Sequence, residues 1–254
     1  MSDVIPSRSL RSDLRVLWHL LVHPVRGRTH AERLENFYRG QAEHYDSFRA
    51  RMLHGRGELI AGLELPAGGV WVDMGAGTGE NVMLAGDDAK RLDEIHLVDL
   101  SASLLEVAAQ RLEQAELASA QCHLADATCF QRPPASVDLV TFSYSLTMIP
   151  DWFEALTLAE RMLKPGGTIA VTDFYISRKF AGDQLRQHGW LRRTFWALWF
   201  AADNVFLSAD HLALLRRRFQ TIHLEEKAGK VPYLPLARAP YYVFIGRKPA
   251  GPGA

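Results

Sequence analysis

The run Val70-Trp71-Val72-Asp73-Met74-Gly75-Ala76-Gly77-Thr78-Gly79 carries an apolar strand pattern straight into a glycine-rich turn, and helix-forming sequence follows it. Glycine in such a turn lets the backbone approach a ligand that a side chain would hold away. Taken alone, the turn fits a structural strand-to-helix connection or the start of a dinucleotide site. A dinucleotide fingerprint asks for GxGxxG, however, and Glu80 follows Gly79 here.

From Val70 onward, short apolar runs alternate with amphipathic stretches, the pattern of βαβ units around a mostly parallel sheet. The periodicity predicts strands near 70–74, 94–99, 119–124, 137–142, 167–173, 219–226 and 239–247. Helices are predicted near 79–86, 101–116 and 151–163, with Ser101 and Asp151 as N-caps of the last two. Lys164-Pro165-Gly166-Gly167 reads as the turn that delivers the chain into the fifth strand. Upstream, Leu14, Leu17, Trp18 and Leu21 recur at helical spacing, and a second helical region runs from about Ala31 to Leu63 with breaks near Gly40 and Gly55. The reading divides the chain into an N-terminal helical segment, 1–63, and an α/β domain, 64–248, with a substrate insertion at about 176–207.

Four chemically telling points fall at the carboxyl ends of successive predicted strands, where open α/β sheets bind ligands. They are the Gly75 turn, Asp99, the pair Asp126-Ala127, and Phe142-Ser143-Tyr144. Asp99 lies about 20 residues after the turn, the spacing from which an acid can accept hydrogen bonds from ribose hydroxyls. Together with Leu163-Lys164-Pro165-Gly166-Gly167-Thr168, this set resembles the class I S-adenosylmethionine-dependent methyltransferases over roughly Tyr38 to Lys248. The resemblance implies a doubly wound, seven-stranded, Rossmann-like sheet, mostly parallel with an antiparallel last strand, plus N-terminal helices. It implies S-adenosylmethionine as the cofactor, with Gly75, Ala76 and Gly77 around its methionine part, Asp99 on the ribose, Asp126 and Ala127 at the adenine, and Ser143 at the edge of the sulfonium pocket. Tyr45, Asp73 and Leu100 complete the candidate cofactor contacts.

Composition narrows the function further. The 29 basic and 29 acidic side chains cancel, giving no electrostatic case for a nucleic-acid partner. Cys122 and Cys129 make no disulfide framework and lack zinc-site spacing, so no metal is expected. No apolar run approaches the roughly 20 residues that span a bilayer, and no secretory signal is evident, which points to the cytoplasm. Before His30, Arg8, Arg11, Arg15, Arg26 and Arg28 outnumber Asp3 and Asp13, a basic segment able to approach an anionic surface.

Three segments are more particular. Phe37 to Asp46, Thr141 to Trp152 and Asp203 to His211 resemble the methyltransferase half of betaine lipid synthase and the bacterial diacylglycerylhomoserine N-methyltransferases. That resemblance implies three successive N-methylations of a lipid-borne homoserine amine at the membrane surface, with a separate enzyme supplying diacylglycerylhomoserine. Arg49, Arg51 or Arg178 could grip the homoserine carboxylate with a planar fork, although surface arginines are often only solvated. Trp152 and Tyr175, with Tyr45 and Tyr144, are the aromatic residues nearest the inferred mouth, where they serve either packing or a cationic product. The aromatic and arginine-rich stretch Trp190 to Phe200 reads either as a helix lying in a membrane interface or as a core-facing lid. His44, Tyr45 and Tyr144 are the candidate catalytic side chains. His44, Asp46 and Tyr144 can each receive the ammonium proton, but bulk water can do the same. An ethanolamine-bearing or soluble acceptor, or a non-catalytic binding module on the same fold, remain as alternatives.

Overall fold

A computed structural model of the chain describes Thr29, Glu32, Glu35 and residues 52–182, 185–201, 205–232 and 234–250, apart from the side chains of Pro235 and Leu236. The predicted helix at Leu14–Val22, most of the 31–63 helical region, and His44, Tyr45, Asp46, Arg49 and Arg51 lie outside the described residues.

Seven strands form one sheet in the order β3-β2-β1-β4-β5-β7-β6. They are β1 (Val70–Met74), β2 (Glu94–Asp99), β3 (Ala120–Leu124), β4 (Val137–Ser143), β5 (Leu163–Phe174), β6 (Gln220–Val231) and β7 (Leu234–Arg247). Neighbours from β3 through β5 pair in parallel, and β7 is antiparallel to both β5 and β6. The predicted fold class is therefore the observed one. Strand order reverses between β1 and β4, and this switch point opens the crevice in which such sheets hold ligands.

Helices α1 (Arg56–Ala61), α2 (Glu80–Ala85), α3 (Ala102–Gln114), α4 (Trp152–Met162), α5 (Trp190–Ala201) and α6 (His211–Arg218) cover the sheet. Alternation along each strand splits the apolar side chains between two cores. Trp71, Leu97 and Phe174 join one core with residues of α1, α3 and α5. Val72, Met74, Phe142 and Tyr242 join the other with residues of α4 and α6. Both faces are buried, so the inner strands read as continuous apolar runs rather than alternating ones. Ser101 caps α3 as predicted, its side chain accepting from the Leu104 N–H at 3.4 Å, whereas Asp151 makes no side-chain cap on α4. The predicted turn at Lys164–Gly167 is instead an irregular start to β5: Leu163 already pairs with Val137, and the register then jumps to Thr168 opposite Leu139. Gly166 N–H and Gly167 C=O bond Lys248, which ties this bulge to the end of β7.

In the insertion after β5, α5 turns Trp196 and Phe200 into the core, where the Phe200 ring lies 4.5 Å from that of Phe174. Trp190, Leu191, Phe195 and Leu198 stay exposed on the same helix. Among the described residues, no helix is long and apolar enough to cross a membrane.

The two faces of α5 predict opposite responses to truncation. Trp196 is 3% exposed and Trp190 73%, so Trp196→Ala should cost about 3–5 kcal/mol in urea unfolding, and Trp190→Ala no more than about 0.5 kcal/mol. Equal losses would place both indoles in the core.

Candidate active site

The turn after β1 is held by backbone first. Gly75 and Ala76 N–H groups both donate to the Val98 carbonyl oxygen, at 2.8 and 3.0 Å. Gly75 adopts φ +72°, and a Cβ there would stand 2.4 Å from Ser145 Cβ, so the position admits no side chain. One Asp99 oxygen accepts from Gly77 N–H at 2.8 Å and the other from Ser101 N–H at 2.9 Å, so a single carboxylate braces the turns that follow β1 and β2. Asp126 folds its own loop, its Oδ1 accepting from the Thr128 N–H and hydroxyl at 2.8 and 2.7 Å.

These turns surround an open cleft. Of the residues singled out in the sequence, Gly75, Gly77, Asp99, Leu100, Asp126, Ala127 and Tyr144 line it. Ala76, Asp73 and Ser143 are buried nearby but are not among its lining residues. Ser145, Met148, Ile149 and Asp151, which the sequence reading held within the Thr141–Trp152 segment without assigning them to the site, form a wall of the cleft. They follow β4 directly, and their placement after a strand end on the same side as Asp99 was the available signal. A carboxylate, side-chain-free backbone and apolar walls fit a ribose, an amino-acid chain and a purine, and hence S-adenosylmethionine.

Two buried carboxyl groups support the cleft from behind. Asp73 Oδ1 accepts from the Thr141 hydroxyl at 2.5 Å and from Asn81 Nδ2 at 2.9 Å, while Trp71 Nε1 donates to the same Thr141 oxygen at 2.8 Å. Burial pushes its pKa up to about 6, against the opposing pull of those hydrogen bonds and of Arg56. Arg56, also absent from the sequence reading, donates through Nε to the Ser143 hydroxyl at 2.9 Å. Asp173 at the end of β5 accepts from Thr147 N–H, the Thr147 hydroxyl and Phe174 N–H, pinning the Ser145–Pro150 wall to the sheet. Its pKa is pushed up to about 7, again chiefly by burial.

Tyr144 has φ +56°, rare for a non-glycine residue, and its hydroxyl donates to the His54 carbonyl oxygen at 2.5 Å. Burial, with Asp173 nearby, drives its pKa well above 10. The phenol is therefore a fixed donor to backbone at neutral pH, and as described it is not poised as a base. The three described substrate candidates fall elsewhere. Trp152 follows Asp151 of the cleft wall and meets the His211 ring edge-on at 4.5 Å. Tyr175 donates to Glu226 Oε1 at 2.6 Å and Arg178 pairs with Asp210 at 2.7 Å; both line a second cavity rather than the cleft. Glu58, His223 and Glu225 come within metal-ligating reach of one another, but Lys227 Nζ already bonds both carboxylates.

Two measurements test this arrangement. Asp99→Ala should weaken S-adenosylmethionine binding in calorimetry by roughly 10- to 100-fold, as expected for loss of charge-assisted hydrogen bonds; unchanged affinity would remove Asp99 from the cofactor site. For Asp173, both folded and unfolded forms are protonated below the ordinary carboxyl value of 3.8, and between there and about 7 only the unfolded chain ionises readily. Stability should therefore be greatest at the low end of that window and fall as pH rises through it, by up to about 1.4 kcal/mol per pH unit. Asp173→Asn should flatten the profile; an unchanged slope would show that Asp173 does not titrate there.

Comparison with known proteins agrees with this geometry. Residues 72–171 match the methyltransferase domain family model. No curated protein matches the chain. Phosphoethanolamine N-methyltransferase 2 of Haemonchus contortus, solved with S-adenosyl-L-methionine, superposes with a TM-score of 0.64 at 17% identity, covering 89% of this chain and 61% of that one. The YcgJ protein of Bacillus subtilis gives a TM-score of 0.61 at 17% identity over 78% of this chain and 99% of its own. A methyltransferase from Aquifex aeolicus, described as dependent on the same cofactor, gives 0.54 at 12% identity over 82% and 97%. At these identities the likeness speaks for the fold. Joined to the domain match, which spans the glycine turn, Asp99, Asp126 and the β4 wall, it supports a methyltransferase domain over residues 72–171 with S-adenosylmethionine as its cofactor.

Proposed function

We propose that the protein is an N-methyltransferase that converts diacylglycerylhomoserine to the betaine lipid diacylglyceryl-trimethylhomoserine at a membrane surface. The observation that carries this reading is the segment Thr141–Trp152. It bears the resemblance to betaine lipid synthase, and it also supplies Tyr144, Ser145, Met148, Ile149 and Asp151 to the wall of the cleft. A second feature supports it: the outward face of α5 presents Trp190, Leu191, Phe195 and Leu198. Such a helix can bury its apolar outer face among acyl chains. In this reading the protein is cytoplasmic and peripherally membrane-bound, and a separate enzyme supplies the homoserine lipid.

S-adenosylmethionine supplies an activated methyl group, which passes from sulfur to the lone pair of a neutral amine and leaves S-adenosylhomocysteine. The chain contributes alignment and dryness. The Gly75 turn and Asp99 fix one reactant, and the apolar Met148 and Ile149 side keeps water from the other. After each of the first two transfers the alkylated nitrogen must lose a proton before it can react again. Water can take it, since the Tyr144 hydroxyl is committed to the His54 carbonyl. His44 and Tyr45, outside the described residues, remain proposed catalytic groups, as do Arg49 and Arg51 for the carboxylate.

An ethanolamine-bearing acceptor is the second reading, favoured by the fold likeness to a protein named for phosphoethanolamine methylation. Mass spectrometry of the purified protein with S-adenosylmethionine separates the two, using diacylglycerylhomoserine, phosphatidylethanolamine and phosphoethanolamine as parallel acceptors in micelles. Stepwise gain of one, two and three methyl groups on the homoserine lipid alone is the expected result. Methylation of an ethanolamine compound in its place would overturn the assignment.

A further inference from the structure

A second cavity lies between the segment that follows β5, the first turns of α6 and the middle of β6. Its floor is apolar, with Leu185, Leu212 and Ala213, and Phe180 stands 78% exposed at its edge. Arg178, Arg186 and Arg216 contribute the positive charge. Arg178 is neutralised by Asp210. Glu226, the acid of the lining, already accepts from the Tyr175 hydroxyl through one oxygen and from Arg186 N–H through the other. Among the described residues, neither the Arg186 nor the Arg216 guanidinium has a carboxylate within ion-pair distance. Arg192 and Arg193 add to the same field: with Arg186 they bear on the buried His188 ring, which bridges Ser177 to this segment.

We propose that this cavity binds the phosphate of an anionic membrane phospholipid, distinct from the methyl acceptor and outside the cofactor cleft. Guanidinium groups match phosphate oxygens as planar forks. An inorganic anion would use the arginines but not the apolar floor, whereas a phospholipid presents a phosphate joined to glycerol and acyl chains and can use both. Phe180, exposed at the edge with Lys179 5.3 Å from its ring centre, continues the apolar surface outward from the cavity. The inference deepens the proposed membrane location of the enzyme but does not depend on which amine it methylates.

The test is flotation of the full chain with vesicles of phosphatidylcholine containing phosphatidylglycerol. The double variant Arg186→Gln/Arg216→Gln is compared with wild type and with Arg91→Gln/Arg161→Gln, which removes equal charge elsewhere. At about 1 kcal/mol per basic residue near an anionic surface, the cavity variant should bind roughly tenfold or more weakly. The control variant should bind as wild type does, and turnover in detergent micelles should stay within about twofold, as expected for groups outside the cleft. Equal losses in both double variants would reduce the effect to general surface charge and overturn the site. So would unaltered flotation of the cavity variant, or loss of its micellar turnover, which would put these arginines on the acceptor. If inorganic phosphate raises the melting temperature of wild type but not of the cavity variant while flotation is the same for both, the cavity takes a free anion and the lipid assignment fails. Failure of wild type to methylate the homoserine lipid would leave the flotation result standing, so the two readings fall separately.

Discussion

The Asp99 carboxylate is the constraint on which the cofactor side of the molecule rests. It sits where β2 ends and takes one N–H from the turn after β1 and one from the start of α3. Two loops that would otherwise need separate anchors share one, and the negative charge lies at the amino end of a 13-residue helix, whose dipole favours it. A carboxylate offers about four acceptor directions, enough to brace two turns and still meet the hydroxyls of a ribose. Under the proposed site, binding and scaffolding would fall on the same group, so that loss of Asp99 would act on the shape of the glycine turn as well as on direct contact with ligand.

The opposite wall depends on burial of charge. Asp173 has no solvent, and its three donors come from the segment it fastens and from its own strand. Desolvation raises its pKa despite those donors. Asp73 repeats the pattern one layer deeper, between Thr141 and Asn81. Each group trades stability at neutral pH for a fixed loop position, a trade that makes physical sense at a site whose task is to hold reacting atoms within a few tenths of an ångström rather than to supply an acid or a base.

The sheet was legible because its strands are buried on both faces and announce themselves as apolar runs; β1 and β2 occupy the predicted residues, and the Ser101 cap is where a serine before a helix should be. β5, β6 and β7 extend beyond their predicted limits because hydrogen bonding continues past the apolar stretch, through Lys164–Gly167 in β5 and through the polar Glu225–Lys230 in β6. Asp99 and Asp126 could be placed at the cleft because their position at a strand end suffices to bring them there. Tyr175 and Arg178 could not, since a strand end does not say which face a side chain takes. Phe174 packs into one core and Tyr175, one residue on, into the other, next to the arginine-lined cavity. Tyr144 lines the cleft as its strand-end position suggested, but its left-handed backbone moves it off the face that Phe142 shares, and nothing in the residue type signals that conformation.

Helix α5 was ambiguous in sequence because both of its readings describe part of it. Trp196 packs on Phe200, Phe200 on Phe174, and Phe174 on the ring of Tyr144, so the inner face of α5 backs the packing behind that part of the cleft wall. The remaining aromatic and aliphatic residues point away, and an uncompensated apolar surface of this kind is costly in water unless something covers it. The same helix thus couples two environments: a bilayer drawn to its outer face would bear, through Trp196 and Phe200, on the packing that positions Tyr144. In the proposed reaction, methyl transfer to a lipid amine would need that coupling, because the acceptor would enter from the membrane side while the cleft must stay dry. The dry side of the site and the greasy side of the surface are held together by one twelve-residue helix.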